Sequence, residues 1–370
     1  MRFLALVTAA LLAGAATASA PQATPRWSEQ DLAQLADTVE AARDEGLHES
    51  YSGTAIAMMA PGADTDGQAD TIALALARDF YEGSDRMRSD PSWHLTRGKL
   101  DYRTWLNAAL ARHSIEKSLR DLLPATANYE AVQTEMVRCR RKHGDCGALE
   151  VNLDRLRALP RDLGRRYLIV NVPAYRLDLI EDGKIVASHK VIVGKPNKQT
   201  PIFKATVTGV TINPWWNVPC SIVDESIGKL IRTNPEEAAR RGYVFTKSAN
   251  GTLTVRQKPG PDNALGQIKL EMPNPYDVYI HDTPSRNLFL HDRRALSHGC
   301  IRTEDPEGLA ASLLGNDKAL AIGLLLGTRI SKTIPLSPPL PVYVVYLTAG
   351  IDPETGKLAR YDDIYHRDGD

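Results

Sequence analysis

The sequence predicts an α+β protein with a helical N-terminal domain followed by a β-rich domain that carries a helical insertion. Three observations lead to this fold class. Helical periodicity extends to about residue 160, β-branched hairpin patterning begins near residue 165, and helical patterning returns at 219–258. A chain of 370 residues accommodates two domains of about 100–200 residues each.

Apolar residues recur at helical spacing through the N-terminal part, beginning with Leu32, Leu35, Val39 and Ala42. The stretches 70–82, 102–123 and 128–141 have the same character, and Pro124 separates the last two. We therefore predict a helical domain over residues 21–160.

Strand patterns dominate the remainder of the chain. The segment RLDLIEDGKIVASHKVIV is predicted to form two strands joined at Asp182-Gly183, because this dipeptide favours a tight hairpin turn. Further strands are expected at 206–212, 278–281 and 342–347. We place the β-rich domain at 161–350 and a charged tail that packs on it at 351–370.

Two helices are predicted after residue 300. Asp305 is an N-cap candidate followed by Pro306 at the first helical position, and Gly315 lies just past the expected end. The apolar run 319–326 is too short to span a membrane, and we expect it to be buried core.

The composition excludes one broad class of function. Lys and Arg total 45 and Asp and Glu total 45, so the formal net charge is zero. A general nucleic-acid binder normally has a basic excess. Apolar residues make up 43% of the chain, which is enough for a sizeable core.

Residues 1–20 are predicted to be a secretory signal peptide. Arg2 precedes a stretch of apolar and small residues, and Ala18-Ser19-Ala20 fits the cleavage pattern. The alternative is an uncleaved N-terminal anchor. No later run reaches the roughly 20 residues that a membrane span needs, so we expect no stable span after cleavage.

The four cysteines are expected to divide into two kinds. Cys139 and Cys146 are close enough in sequence to form a small-loop disulfide in an oxidising compartment, although spacing alone does not decide it. Cys220 and Cys300 are left without an obvious partner. A free thiol in an exported protein is buried, reactive or mispaired.

The segment YIHDTPSRNLFLHDRRALSHGCIR, residues 279–302, carries the chemistry. An imidazole can deprotonate a cysteine thiol and later protonate a leaving amine, and His281, His291 and His298 lie near Cys300. Gly299 lets the backbone approach closely, so main-chain amides could form an oxyanion hole. Three histidines and a cysteine could instead bind zinc, but their spacing fits no standard zinc pattern.

The blocks around this segment resemble those of L,D-transpeptidases with a YkuD-type catalytic domain, and in particular the large periplasmic subgroup of that family. The resemblance covers residues 148–368 and includes the blocks RYLIVNVPAYRLDLIEDGKIV, VIVGKPNKQTP, INPWWNVP, PGPDNALGQIKLEMPN, YIHDTPSRNLF, SHGCIR, PVYVVYLTAG and DDIYHRD. It implies that the β-rich domain is a mixed β-sandwich with few helices. It also implies that the N-terminal helices form a scaffold domain.

The resemblance assigns roles to individual positions. Cys300 matches the family nucleophile, and His281 matches its base, whose partner in the family is usually a main-chain carbonyl. The amides of Gly299 and Cys300 are the expected oxyanion hole. Arg302 would bind either loop carbonyls or a substrate carboxylate.

Other positions are expected to shape the site or contact substrate. Ser297 and His298 belong to the nucleophile loop, Tyr279 shares a strand face with His281, and Trp216 is a candidate wall for the acyl pocket, with packing as the alternative. The insertion at 219–258 is the candidate lid. Asn263 and Gly266 are expected to set turn geometry.

The chain departs from the pattern of the family in several places. The peptidoglycan-binding module found in many members has no room here, because about a dozen residues separate Arg140 from Asn152. Many family members have Gly at the position of Asp282. The large periplasmic subgroup has Asp there, as this chain does. Cys220 lies where the resemblance tolerates Pro, so we expect it to be incidental.

The implied function is periplasmic cross-linking of peptidoglycan stem peptides through a Cys300 thioester, without a metal or organic cofactor. Donor and acceptor stems are the expected partners, and carbapenem-type β-lactams are the expected covalent inhibitors. Three alternatives remain open: an L,D-peptidase that hydrolyses the thioester, a non-catalytic wall-binding protein, and a zinc protein.

Overall fold

The computed structural model describes residues 26–47, 52–96, 98–248, 251 and 253–369. The predicted signal peptide, residues 1–20, lies outside the described residues. Within the described ranges, no helix is long and apolar enough to cross a membrane.

Helices dominate the structure up to residue 158, as predicted. Their bounds, with one short strand among them, are α1 (Glu29–Ala41), α2 (Gly53–Ala57), α3 (Ala63–Glu82), α4 (Asp85–Arg88), β1 (Trp93–His94), α5 (Tyr102–Ala111), α6 (Ile115–Arg120), α7 (Ala127–Arg141) and α8 (Gly147–Ala158).

Strands dominate from residue 166 onward, interrupted by short helices. The elements are β2 (Arg166–Asn171), β3 (Arg176–Glu181), β4 (Lys184–Gly194), β5 (Ile202–Ile212), β6 (Trp216–Asn217), α9 (Cys220–Ile222), α10 (Gly228–Thr233), α11 (Pro235–Arg240), β7 (Tyr243–Lys247), β8 (Leu253–Gln257), β9 (Ile268–Glu271), β10 (Ile280–His281), β11 (Ala295–Ser297), β12 (Ile301–Thr303), α12 (Pro306–Leu314), α13 (Ala319–Leu326), β13 (Lys332–Val345), β14 (Ala349–Ile351) and β15 (Leu358–Arg360).

The principal sheet closes on itself into a mixed β-barrel. Its strands follow the order β5-β13-β2-β3-β4-β12-β10-β9, and β9 pairs back to β5 through Ile212 and Ile268. The pairs β13–β2 and β10–β12 are parallel, whereas the other neighbours around the ring are antiparallel. The predicted α+β class is therefore confirmed, and the sheet expected as a mixed sandwich is closed.

The N-terminal helices contribute to two separate hydrophobic cores. Helices α1, α3, α5 and α6 bury their own apolar faces together, including Trp27, Leu35 and Phe80. Helices α7 and α8 instead share the barrel core through residues such as Met136 and Leu153. Strand β1 also pairs with β5, so the helical part is built onto the barrel.

The insertion that the sequence predicts as a helical lid is only partly helical. Helices α9, α10 and α11 are joined to a three-stranded sheet of β6, β8 and β7, and a π-helical turn, Val223–Ile227, separates α9 from α10. The segment has its own small core, which contains Trp216, Ile231 and Val255. The prediction missed the β7–β8 hairpin.

The two predicted helices after residue 300 form, but one prediction about them is wrong. Asp305 caps α12 by accepting a hydrogen bond from the Gly308 N–H at 2.9 Å. Residues 319–326, expected to be buried core, form α13 with Leu320 and Leu324 exposed at 76% and 68%. Only one side of α13 packs on the protein, through Ile322 and Leu326.

Cys139 and Cys146 form a disulfide, with 5.9 Å between their Cα atoms. Their spacing in the sequence allowed this pairing without deciding it, and the structure shows the bond. Cys220 and Cys300 are free, and Cys220 is exposed at the start of α9.

Candidate active site around Cys300

Neighbouring strands bring the two main candidate residues together. His281 ends β10, and Cys300 directly precedes β12, which runs parallel to β10. The register places His281 opposite Arg302 and also opposite Lys269 of β9. The pairing thus brings His281 and Arg302 together next to Cys300, with Lys269 as an addition that the sequence analysis did not name, whereas His291 is exposed.

His281 is held with one ring nitrogen facing a backbone carbonyl. Its Nδ1 lies 2.5 Å from the Asp282 carbonyl oxygen, so the tautomer assigned from this contact carries the proton on Nδ1. That tautomer leaves the Nε2 lone pair available to accept a proton. The side chain is only 5% exposed.

Burial and positive charge keep His281 neutral. Burial is the main cause that lowers the pKa of His281 to about 3, and the Arg302 cation acts in the same direction. The Asp282 and Leu265 carbonyls oppose this shift because they favour the protonated ring. At neutral pH the His281 ring is therefore uncharged, and its Nε2 can accept a proton.

Cys300 is also neutral in the resting structure. Burial raises the pKa of the Cys300 thiol, although the Tyr279 backbone and the Arg302 charge favour the thiolate. Its Sγ donates weakly to the Asp277 carbonyl oxygen at 3.7 Å. Asp277 has a φ of 52°, a left-handed conformation at the tight turn that precedes β10.

Arg302 carries a charge that the described residues do not neutralise. Its Nε is buried and has no hydrogen-bond partner among them, and the Cys300 side chain, when ionised, favours the charged guanidinium. Burial lowers the pKa of Arg302. The predicted contact with loop carbonyls is not observed, so an incoming anion is the better partner for this guanidinium.

The nucleophile loop is fastened by two hydroxyl groups. Ser297 Oγ donates to the Cys300 carbonyl oxygen at 2.6 Å and accepts from the Gly299 N–H at 3.1 Å. Thr200 Oγ1 donates to the Gly299 carbonyl oxygen at 2.8 Å. Gly299 has a φ of 118°, which side chains rarely adopt.

These contacts change the expected oxyanion hole. The Gly299 N–H is already donated to Ser297, so it is committed to holding the loop. The Cys300 N–H makes no hydrogen bond with the part of the chain that the structure describes. Cys300 is thus the better of the two predicted amide donors.

The C-terminal tail supports the nucleophile loop indirectly, through Thr200. Tyr365 OH donates to the Gly194 carbonyl oxygen at 2.6 Å and accepts from the Thr200 N–H at 3.1 Å. Thr200 Oγ1 in turn accepts from the Gly194 N–H at 2.9 Å and holds Gly299. Thr200 and Tyr365 both lie in blocks that resemble the family, but no local pattern there pointed to these roles.

Asp282 fastens the other side of the site. Its buried carboxylate accepts from the Gln267 N–H at 2.7 Å and pairs with Arg286 at 2.6 Å. A Cβ at Gly266 would lie 2.3 Å from the Asp282 Cγ, so this side chain needs glycine opposite it. The carbonyl that orients His281 thus belongs to an anchored residue.

Three further predicted residues lie around this centre. Tyr279 is half-buried against the insertion core, with Lys269 Nζ 4.4 Å from its ring centroid. His298 points to the insertion, where its Nε2 lies 3.3 Å from Glu225 Oε1. Trp216 lies in the insertion core at 8% exposure, which favours packing over the predicted substrate contact.

Asn263 supports the turn at the base of the insertion, as expected. Its side chain donates to the Pro214 and Lys258 carbonyl oxygens, each at 3.0 Å. Its Oδ1 accepts from the Leu265 N–H at 2.8 Å. Among the described residues, no cluster of three His, Cys, Asp or Glu side chains is arranged to hold a metal ion.

Two family profiles match consecutive parts of the chain. The profile of the YkuD L,D-transpeptidase catalytic domain matches residues 165–332, and the Scaffold domain profile matches residues 19–136. Residues 165–332 are therefore a YkuD L,D-transpeptidase catalytic domain, and a Scaffold domain precedes it. The barrel of this transpeptidase domain extends beyond the matched region, because β13 supplies a central strand up to Val345.

A curated relative supports the same family. A Haemophilus influenzae protein described as a putative L,D-transpeptidase is 31% identical over 238 residues, which are 60% of this chain and 48% of the relative. The chain therefore spans about half the length of that relative.

Solved structures of L,D-transpeptidases match more distantly. The Enterococcus faecium catalytic domain acylated by ertapenem is 15% identical, with 50% of this chain and 99% of that chain covered at a TM-score of 0.25. Mycobacterium tuberculosis L,D-transpeptidase 3 is 12% identical, with 49% and 61% covered at a TM-score of 0.26. These scores are too low to support an argument from structural likeness.

Replacing Tyr365 with Phe is expected to lower kcat by roughly 10–100-fold, because Thr200, which holds the Gly299 carbonyl oxygen, loses the hydroxyl that fixes its backbone, and small misplacements of the nucleophile loop are costly. Steady-state kinetics should show this change mainly in kcat, with a small change in KM. Tyr361→Phe is the matched control in the same tail. Unchanged kcat in Tyr365→Phe protein would refute the positioning role.

The pKa of His281 predicts a pH-dependent stability. The unfolded chain binds this proton near pH 6.5 and the folded chain only near pH 3, so stability is full above about 6.5 and falls as the pH is lowered. The loss approaches ~1.4 kcal/mol per pH unit within this window. Urea unfolding of wild type and His281→Gln between about pH 7 and pH 4.5 measures it. If the free energy of unfolding changed with pH equally in the two proteins, His281 would not have the lowered pKa.

Proposed function

We propose that this chain is a peptidoglycan L,D-transpeptidase with Cys300 as nucleophile and His281 as base. One observation carries the proposal. Inside the matched YkuD domain, a free cysteine precedes β12, and a neutral histidine with an available Nε2 ends the parallel strand β10. A thiol and an uncharged imidazole are the two groups that acyl transfer through a thioester requires.

The first half of the reaction forms the thioester. Cys300 attacks the carbonyl carbon of an amide between an L-centre and a following D-residue of a stem peptide, and its thiol proton passes to His281 Nε2. A C–S bond forms and the C–N bond breaks. His281 returns the proton to the departing amine of the D-residue.

The second half transfers the acyl group. An amine of a second stem attacks the thioester, a C–N bond forms, and the C–S bond breaks. The attacking amine gives its proton to His281, which returns it to the Cys300 sulfur. The product is a new cross-link, and the reaction needs no oxidant, reductant or cofactor.

Because Cys300 and His281 are both neutral at rest, we expect the thiol proton to pass to His281 as the sulfur attacks the carbonyl carbon. Burial disfavours a separated thiolate and imidazolium pair, because it raises the pKa of Cys300 and lowers that of His281. The Cys300 N–H would stabilise the oxyanion as the carbonyl carbon becomes tetrahedral. A substrate carboxylate would then supply the anion that Arg302 lacks.

We also propose that the protein acts in the periplasm, after export directed by residues 1–20. A charged start, an apolar stretch and a small-residue cleavage site support this location. The Cys139–Cys146 disulfide is compatible with an oxidising compartment.

Incubation of purified muropeptides with wild-type and Cys300→Ala protein tests the proposed reaction. We expect cross-linked dimers from the wild type alone, and fragmentation mass spectra would identify the joined residues. Shortened monomers without dimers would instead make the protein a hydrolytic L,D-peptidase. No change with either protein would favour a non-catalytic wall-binding role.

We expect a carbapenem to acylate Cys300, because the family resemblance implies such inhibitors and a β-lactam carbonyl is an acyl donor that the proposed nucleophile can attack. Intact-protein mass spectrometry should find a single adduct on wild type and on Cys220→Ala protein. Cys300→Ala protein should remain unmodified. An adduct that persists in Cys300→Ala protein would show that the nucleophile is misassigned.

A further inference from the structure

Helix α13 has an exposed apolar face that the proposed reaction does not use. Its sequence, ALAIGLLL, contains no polar side chain. Leu320 and Leu324 are four positions apart and therefore share one face, and Ile330 follows just after the helix at 66% exposure. A helix that is apolar on all sides is normally covered on all sides.

The helix cannot bury these leucines by turning. Ile322 and Leu326 hold its opposite side in the protein core. The Asn213 side chain donates to the Leu325 carbonyl oxygen at 2.9 Å and so attaches the end of the helix to the segment after β5. Leu320 and Leu324 are thus fixed in an outward position, and contiguous exposed apolar surface of this kind marks an interaction site.

Cations flank this helix in the sequence. Lys318, Arg329 and Lys332 are exposed, and none of them forms an ion pair within the described ranges. Asp317 is the one acidic neighbour in the segment 316–332. An apolar helix face with flanking cations is the combination that binds an interface of acyl chains and anionic headgroups.

The charges distinguish this occupant from two others. A second copy of the chain would bring the same three cations into a shared interface, where like charges repel. The N-terminal residues 1–25 contain no Asp or Glu and so offer nothing to pair with these cations. An anionic lipid surface can bury the apolar face and also pair with the flanking cations.

We propose that α13, with Ile330 and its flanking cations, docks the protein on an anionic phospholipid membrane. Leu320, Leu324 and Ile330 enter the region just beneath the headgroups. Lys318, Arg329 and Lys332 contact the phosphates. This attachment is peripheral, and it is independent of the reaction proposed for Cys300.

Vesicle co-sedimentation tests this proposal with the purified protein. We expect wild type to bind phosphatidylcholine vesicles that contain phosphatidylglycerol, and to bind pure phosphatidylcholine weakly. The double variant Leu320→Glu/Leu324→Glu should lose at least about 10-fold in partitioning, since the two leucines proposed to enter the membrane are replaced by charges. Each of Lys318→Gln, Arg329→Gln and Lys332→Gln should lose roughly 5-fold on the anionic vesicles.

Val186→Glu provides the matched control, because Val186 is an exposed apolar residue at 52% on β4, in a different part of the barrel. It should bind vesicles as the wild type does. A Leu324→Trp variant gives a second readout, since its fluorescence should shift to the blue with anionic vesicles and stay unchanged with neutral ones.

Three results would overturn the proposal. One is wild-type protein that does not bind anionic vesicles. Another is equal binding by wild type and the double-glutamate variant. The third is a lipid-free dimer, seen in size-exclusion chromatography with light scattering, that the double-glutamate substitution abolishes, because the face would then be an interface between copies. Loss of cross-linking with retained vesicle binding would refute only the enzymatic proposal.

Discussion

The parallel pairing of β10 with β12 is the constraint on which the rest of the site depends. Ile280 and Ile301 face the barrel core, so His281 and Arg302 leave the core together on the opposite face. A register shift of one residue would exchange these faces. The closed ring prevents such a shift, because β9 is paired both to β10 and to β5.

Buried polar contacts, rather than the reacting groups themselves, hold the site in shape. Thr200 and Tyr365 fasten the nucleophile loop on one side, and Asp282 fastens the turn at Gly266 on the other. Both anchors connect segments far apart in sequence. The tail and the base of the insertion are therefore parts of the site, although neither supplies a group to the proposed chemistry.

Local rules explain what the sequence could predict. The turn at Asp182-Gly183 and the cap at Asp305 each depend on a few adjacent residues, and the structure has both. The β5–β9 closure and the contact of Tyr365 with Gly194 join residues far apart in the chain, which no local pattern encodes. Composition alone also misled the prediction for α13, because burial depends on how many neighbours surround a helix.

Trapping the acyl-enzyme is the most direct test of the central claim. The protein would be mixed with a stem peptide donor in the absence of an acceptor amine, quenched in acid, and examined by intact mass spectrometry and peptide mapping. We expect an adduct equal to the donor without its leaving D-residue, located on Cys300. An adduct on Cys220, or turnover of the donor by Cys300→Ala protein, would contradict the claim.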